Sequence, residues 1–184
     1  MEAKYYPLEI EEKWSKVWSE RALDKTNHKN SFSQVIPPPN VTGTLHMGHS
    51  FQYAIMDFYT RYHHMQGTNS YWQVGSDHAG IATQMVVENN LANEGKTKND
   101  LGREKFLEEI WKWKDFSEDK ITSQIKRLGC TVEWDKYRFT FDDEFCNTVN
   151  KAFVELFRSG KIYRGYRLVN WDPILKTAVS DLEV

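Results

Sequence analysis

Pro37-Pro38-Pro39-Asn40-Val41-Thr42-Gly43-Thr44-Leu45-His46-Met47-Gly48-His49 decides how this chain is read. Ahead of it residues 31–36 alternate, with Phe32, Val35 and Ile36 apolar. Three prolines then forbid further ladder pairing or helix, so a short strand ends in a rigid extended corner. Behind it Met47, Phe51, Ala54, Ile55, Phe58, Tyr62 and Met65 fall on one stripe of a helix, which Gly67 stops as a left-handed cap. The pattern repeats once: residues 70–74 predict a second strand, 75–78 a polar turn, and 79–91 a second helix beginning next to Asp77. Strand, turn and helix in series imply an α/β fold with a parallel sheet, whose ligands sit at the carboxyl ends of the strands. Both irregular turns fall at those ends.

Outward from this centre, Leu8, Ile10, Trp14, Val17, Trp18 and Leu23 recur at helical spacing, and residues 24–30 are a polar break. Beyond Gly95 the chain predicts charged amphipathic helices over 101–128 and 142–158, the latter with Asp142 as its cap and Gly160 as its stop. These read as scaffolding, and residues 162–170 as a further strand. The divisions are an amino-terminal helical extension over 1–30, a strand-helix repeat over 31–95, and helices leading to a strand over 96–184. The ending at Val184 reads as a cut.

Composition narrows the classes. The 184 residues are 40% hydrophobic, enough for one buried core. Seven Trp, ten Phe and nine Tyr suit large packed faces or sites open to flat ligands. A net charge of −2 argues against a strong grip on nucleic acid by this segment alone, since that affinity scales with cations placed on phosphates. Cys130 and Cys146 are too few for a disulfide framework and lack metal-ligand spacing, which fits a reducing cytoplasm. No run of 18 apolar residues occurs, so neither secretion nor membrane insertion is expected.

The chemistry concentrates at His46-Met47-Gly48-His49. At the first turn of a helix, histidines three apart project to the side where unpaired backbone N–H groups point. That combination suits a phosphate, and Gly48 removes a Cβ that would block close approach. A metal pair, or plain polar residues at a helix start, would use the same letters. A metalloprotease would place Glu between histidines four apart with a third ligand, and neither is present. Asp77 is either an anion offered to a ligand or a helix cap. Pro38 and Asn40 suit a ligand contact or an ordinary turn.

The His46 to His49 tetrapeptide is similar to the His-Ile-Gly-His signature of class I aminoacyl-tRNA synthetases. The lead-in Pro-Pro-Asn-Val-Thr-Gly resembles the valine branch, and differs from the isoleucine and leucine branches. Gly75-Ser76-Asp77-His78-Ala79-Gly80-Ile81-Ala82-Thr83-Gln84 is similar to that branch's Gly-Thr-Asp-His-Ala-Gly-Ile-Ala-Thr-Gln, Ser76 standing for Thr. Residues 167–173 and 180–184 resemble the edge of the large editing insertion. The resemblance implies the first half of a Rossmann-like parallel-sheet nucleotide-binding domain with additional helices.

It also implies ATP-dependent activation of valine to valyl-adenylate and transfer to tRNA(Val), by a cytoplasmic protein that is a monomer when full length. His46 and His49 would be the catalytic pair; Thr42, His46, Gly48 and His49 would bind ATP, entering as Mg-ATP; Pro38, Asn40 and Asp77 would bind valine. Some relatives bind zinc through cysteines near the Asn-Trp; Asp172 and Leu175 stand here instead, so no zinc and no other metal site is expected. The tRNA grip, the editing domain and the lysine-rich second signature lie outside these residues, so the chain alone is expected to have weak or no activity. Two other readings stay open: a nucleotidyltransferase sharing the His-x-Gly-His, though its Ser/Thr-rich signature is absent, and a non-catalytic fragment.

Overall fold

The structure, a computed structural model, describes residues 4–20, 30–174 and 176–181. It divides into two compact units, residues 4–142 and 143–181 of those described, each taken by itself below.

In the first unit, α1 (Pro7–Glu20) precedes β1 (Ser31–Val35), α2 (Met47–Met65), β2 (Asn69–Gln73), β3 (Gly75–Ser76), α3 (Gly80–Asn93), α4 (Lys98–Arg127) and β4 (Arg138–Phe139). The rest of the expected leading helix, to Leu23, and the break over 24–29 lie outside the described residues. Strands β1 and β2 pair in parallel from Ser31↔Asn69 to Val35↔Gln73, and β3 pairs in parallel with β4. Only Val74 separates β2 from β3, and its carbonyl accepts from the Arg138 N–H at 3.2 Å. The middle strand therefore has β1 on one side and β4 on the other. The α/β class with parallel strands and flanking helices is as the strand-turn-helix repeat implies.

Differences lie at the edges of elements. Residues 75–78 are not all turn, because Gly75 and Ser76 continue the ladder toward β4, a partner more than 60 residues away. The range of α4 is broken at Gly102 (φ 74°, ψ 170°): a short turn that Thr97 caps, with Asp100 returning the bond in a capping box, precedes the long helix, which begins beside Gly102 close to where the periodicity puts it. Those bonds from Thr97 hold the Asp100 carboxyl below its ordinary pKa.

The apolar stripe of α2 is not the face that the sheet covers. Phe51, Ile55, Phe58, Tyr62 and Met65 are exposed, while Tyr53 and Thr60 are fully buried and Met56 packs with the core. On a helix, 53, 56 and 60 share a face opposite 51, 55, 58 and 62. Gln34 of β1 reaches that inner face, donating to the Met56 carbonyl and the Thr60 hydroxyl, both at 2.5 Å.

Helix α4 links two cores. Ile121 and Ile125 join Ile36, Tyr53, Trp72 and Val74 under the sheet, and Phe106 joins Val87 and Leu91 of α3. At roughly 1.5–3 kcal/mol for each large apolar side chain buried, the first cluster anchors the sheet through Ile36, Trp72 and Val74, and the second packs α3 against α4. Cys130 packs against the first cluster, and burial pushes its thiol up to about 12, so it is inert.

The second unit contains α5 (Asp143–Arg158) and a hairpin, β5 (Asn170–Asp172) with β6 (Thr177–Val179). The strand expected over 162–170 does not form: only Asn170 is in a ladder, and Tyr163, Tyr166 and Leu168 are 82, 97 and 98% exposed. A strand does not form without a partner edge to take its backbone hydrogen bonds. Gly160 ends α5 with φ 72°, as read.

Candidate active site

The first turn runs from the end of β1 into α2. His46 is the helix N-cap, with extended φ −117° and ψ 172°. The Gly48 N–H donates to His46 Nδ1 at 3.1 Å, and the His46 N–H donates to His49 Nδ1 at 3.2 Å. This is a capping box built from two imidazoles. Because each Nδ1 accepts, each ring carries its proton on Nε2, and two Nε2–H donors are left for a ligand. The rings lie 3.8 Å apart between centroids. Burial, and then the neighbouring His46, hold the His49 pKa below its ordinary value of 6.5. Gly48 has a more local reason than ligand approach. A Cβ there would lie 2.8 Å from His46 Cε1, so a side chain would push the imidazole off its cap.

The second turn follows β3. Ser76 is fully buried and its hydroxyl donates to Glu118 of α4 at 2.8 Å; Glu118 also pairs with Lys114 at 2.6 Å. One oxygen of Asp77 accepts from the Ala79 N–H at 3.0 Å and from the Thr140 hydroxyl at 3.2 Å. With its proton so directed, Thr140 accepts from the His78 backbone at 2.9 Å and from His78 Nδ1 at 2.6 Å, which fixes the proton on that nitrogen. Asp77 is thus both cap-like and aimed, its second oxygen free of these bonds. Ala79 is left-handed, φ 42° and ψ 52°, a conformation an L residue holds only when its surroundings demand it. Its strain turns the N–H toward Asp77.

The two turns are joined through their backbones. The Asp77 N–H donates to the Pro39 carbonyl at 2.8 Å and the Val41 N–H to the Asp77 carbonyl at 3.0 Å, making a parallel bridge between Asn40 and Asp77. Pro39 is buried, and Pro38 and Asn40 face solvent on either side of it. The structure therefore brings Pro38, Asn40 and Asp77 together at the carboxyl ends of adjacent strands. Thr42, half-buried, follows in the turn that leads to the histidines.

Sequence reasoning missed Thr140 and the whole contribution of α4. Trp113 Nε1 donates to the Val41 carbonyl at 2.9 Å, the Ser117 hydroxyl to the Gly43 carbonyl at 3.1 Å, and the Leu45 N–H to Gln124 Oε1 at 2.9 Å. Trp113 packs in the second core and also makes this bond. A signal existed: Ser117 and Gln124 are polar residues inside the apolar stripe of residues 106, 110, 113, 121 and 125. The segment over 167–184 belongs to the second unit, where Asn170 donates to Asp181 at 2.8 Å; Leu175 and residues 182–184 lie outside the described residues. Among the described residues no three His, Cys, Asp or Glu side chains gather as a metal site, and no helix is long and apolar enough to cross a membrane.

Two adjacent turns at the ends of parallel strands, one presenting paired imidazoles and the other a fixed carboxylate, are matched by a family model. The chain belongs to the class I tRNA synthetases (I, L, M and V), whose model covers residues 9–184. Within that family its similar relatives are valine–tRNA ligases. It is 56% identical to that of Acinetobacter baylyi over 98% of its own length and 19% of the relative's. It is 55% identical to those of Neisseria meningitidis serogroups A and B, again over 98% of itself and 20% of theirs. The chain thus spans about a fifth of the length of these relatives. Its fold is similar to a crystal structure of the LeuRS–tRNA–LeuAMS ternary complex of Agrobacterium radiobacter K84, with a TM-score of 0.71, 21% identity, and coverage of 97% of this chain and 21% of that one.

Proposed function

We propose that these residues form the amino-acid- and ATP-binding part of a valine–tRNA ligase, acting with regions supplied elsewhere in the polypeptide. The observation that carries the reading is the backbone bridge between Asn40 and Asp77, which sets a carboxylate and a pair of imidazoles on neighbouring strand ends. The free oxygen of Asp77 takes the α-ammonium of valine, and Pro38 and Asn40 border the amino acid. His46 and His49 donate through Nε2–H to the phosphate oxygens of ATP, with Thr42 and Gly48 lining the approach. The valine carboxylate attacks the α-phosphorus, the bond to pyrophosphate breaks, and no enzyme group forms a covalent link. The chain's contribution is thus orientation and stabilisation of developing charge, which in such displacements supplies most of the rate.

ATP would enter as its magnesium complex, the ion supplying charge neutralisation on the phosphoryl oxygens, and no side chain of these residues is assigned to it. No zinc is part of the reading, since Asp172 stands where zinc-binding relatives carry cysteine. Residues 31–95 act as the first half of the Rossmann-like domain, and tRNA(Val) is held mainly by other regions of a cytoplasmic, monomeric enzyme.

ATP–pyrophosphate exchange with each amino acid in turn tests this. Valine should stimulate exchange best in the intact polypeptide that carries these residues. Stimulation led by isoleucine would overturn the substrate, and no exchange with any amino acid would overturn the activity.

A further inference from the structure

Three side chains on one face of α4 hold the backbone that leads into the histidine turn, and they do so at alternate residues. Trp113, Ser117 and Gln124 take the Val41 carbonyl, the Gly43 carbonyl and the Leu45 N–H, at 2.9, 3.1 and 2.9 Å. Residues 113, 117 and 124 lie within one narrow stripe, about 6 and 10 Å apart along the axis at a rise of 1.5 Å per residue. Beyond the Val41 N–H, which bonds to the Asp77 carbonyl, this irregular segment bordered by proline has no ladder of its own. The helix acts as that ladder. Ser117 is 1% exposed, so its hydroxyl has no solvent alternative to Gly43. Gln124 acts one peptide before His46, whose own N–H is already committed to His49.

We infer that Gln124, with Ser117 and Trp113 behind it, is a positioning residue for the His46–His49 pair: it sets where the two Nε2–H donors point by fixing the Leu45 peptide. This rests on the activation reading above for its catalytic consequence, although not for the bond itself. Orientation of donors is felt where charge develops, so its loss appears in kcat more than in amino-acid affinity. Of the three held residues only Val41 also meets Asp77, through its N–H to the Asp77 carbonyl; the Gln124 bond to Leu45 touches neither Asp77 nor its side-chain partners Ala79 and Thr140.

The test uses the intact polypeptide with Gln124→Met, which keeps length and shape but removes the acceptor, and Gln124→Glu, which keeps an acceptor oxygen. Ser117→Ala serves as a second variant that leaves almost no cavity. Two readouts are taken: amide hydrogen exchange at Leu45, and kcat and KM for valine-dependent ATP–pyrophosphate exchange. Gln124→Met is expected to speed Leu45 amide exchange and to lower kcat roughly tenfold, with KM for valine within about twofold, as expected for a small misplacement of catalytic donors. Gln124→Glu should restore most of kcat, and Ser117→Ala should lower it less.

Unchanged kcat in Gln124→Met, an equal loss in Gln124→Glu, or a loss confined to KM would each overturn the inference. Wild-type polypeptide without exchange activity would remove the activation reading instead. The Leu45 amide then decides alone, and unaltered protection in Gln124→Met sinks the positioning role.

Discussion

The two turns have the same topology and opposite construction. In the first, over 37–49, the imidazoles that would meet a ligand bond only to their own helical turn, and past the Asn40–Asp77 bridge that both turns share the backbone is held from outside by α4. In the second, over 75–80, the backbone sits in ladders on both sides, and the candidate carboxylate is itself gripped by Ala79 and Thr140. One turn fixes its chain and leaves its side chains adaptable; the other fixes the side chain. The difference suits the chemistry proposed for each. A group recognising an ammonium of constant charge gains from rigidity, whereas donors to phosphate oxygens must meet charge that shifts during the reaction.

The sharpest way to break this comparison is Asp77→Asn. Asparagine keeps an acceptor oxygen for Ala79 and Thr140, so the turn should stay folded while the negative charge goes. Removing one member of a close charge pair costs on the order of 2–5 kcal/mol, so kcat/KM for valine should fall by about 30- to 5,000-fold with melting nearly unchanged. A fall below tenfold would detach Asp77 from the amino acid.

Glycine substitutions probe the same contrast through stability. A Cβ on Gly75 would collide with the Arg138 carbonyl oxygen, a backbone atom that cannot swing away, whereas nothing lies within 4 Å of one on Gly43. Gly75→Ala should therefore lose about 2–3 kcal/mol in urea unfolding, and Gly43→Ala less than about 0.5 kcal/mol. Equal losses would mean that the second turn is no more tightly built than the first.

What the sequence made legible follows from how local each cause is. The prolines, the helical period and Gly67 act within a few residues, and β1, α2, β2 and α3 stand close to where they were read. Asp77 and the histidines were legible as groups, because a short motif carries them. Their bracing was not. Thr140 reaches Asp77 across 63 positions, and the α4 bonds span 72 to 79, so no window along the chain contains both partners. The α2 stripe shows the other limit. A period of 3.6 marks which residues share a face, and only the sheet decides which face is covered. For residues 162–170 the same limit acts on a strand, which has no edge to pair with before Asn170.

The first turn alone should respond to mild acid. Both halves of its cap need an unprotonated Nδ1, and the folded state holds His49 below its ordinary 6.5. The fold therefore prefers the neutral ring: no penalty exists well above 6.5, one develops as pH falls toward the depressed value, and it levels off below that. Between pH 7 and pH 5 the first amides of α2 should lose protection against hydrogen exchange, by less than the full worth of a helix cap because the His49 ring is only partly buried and solvent screens its charge. Amides following Gly80 should hold theirs over the same range, since Thr140 and Asp77 rather than an imidazole Nδ1 acceptor close that turn. Parallel losses in both turns would erase the distinction.

The smallest expected effect comes from the strain stored in the second turn. Ala79 at φ 42° pays the left-handed cost of an L residue, and its N–H is one of the two bonds that hold Asp77. Ala79→Gly keeps that N–H and removes the Cβ conflict, while adding freedom to the unfolded chain. At a positive-φ position the relief outweighs the entropy, so urea unfolding should show a gain of roughly 0.5 kcal/mol. If rigidity of this turn is what fixes the carboxylate, the more stable variant should leave KM for valine unchanged. A rise in KM alongside the gain in stability would show instead that the Cβ of Ala79, and not only its N–H, keeps the turn in register with Asp77.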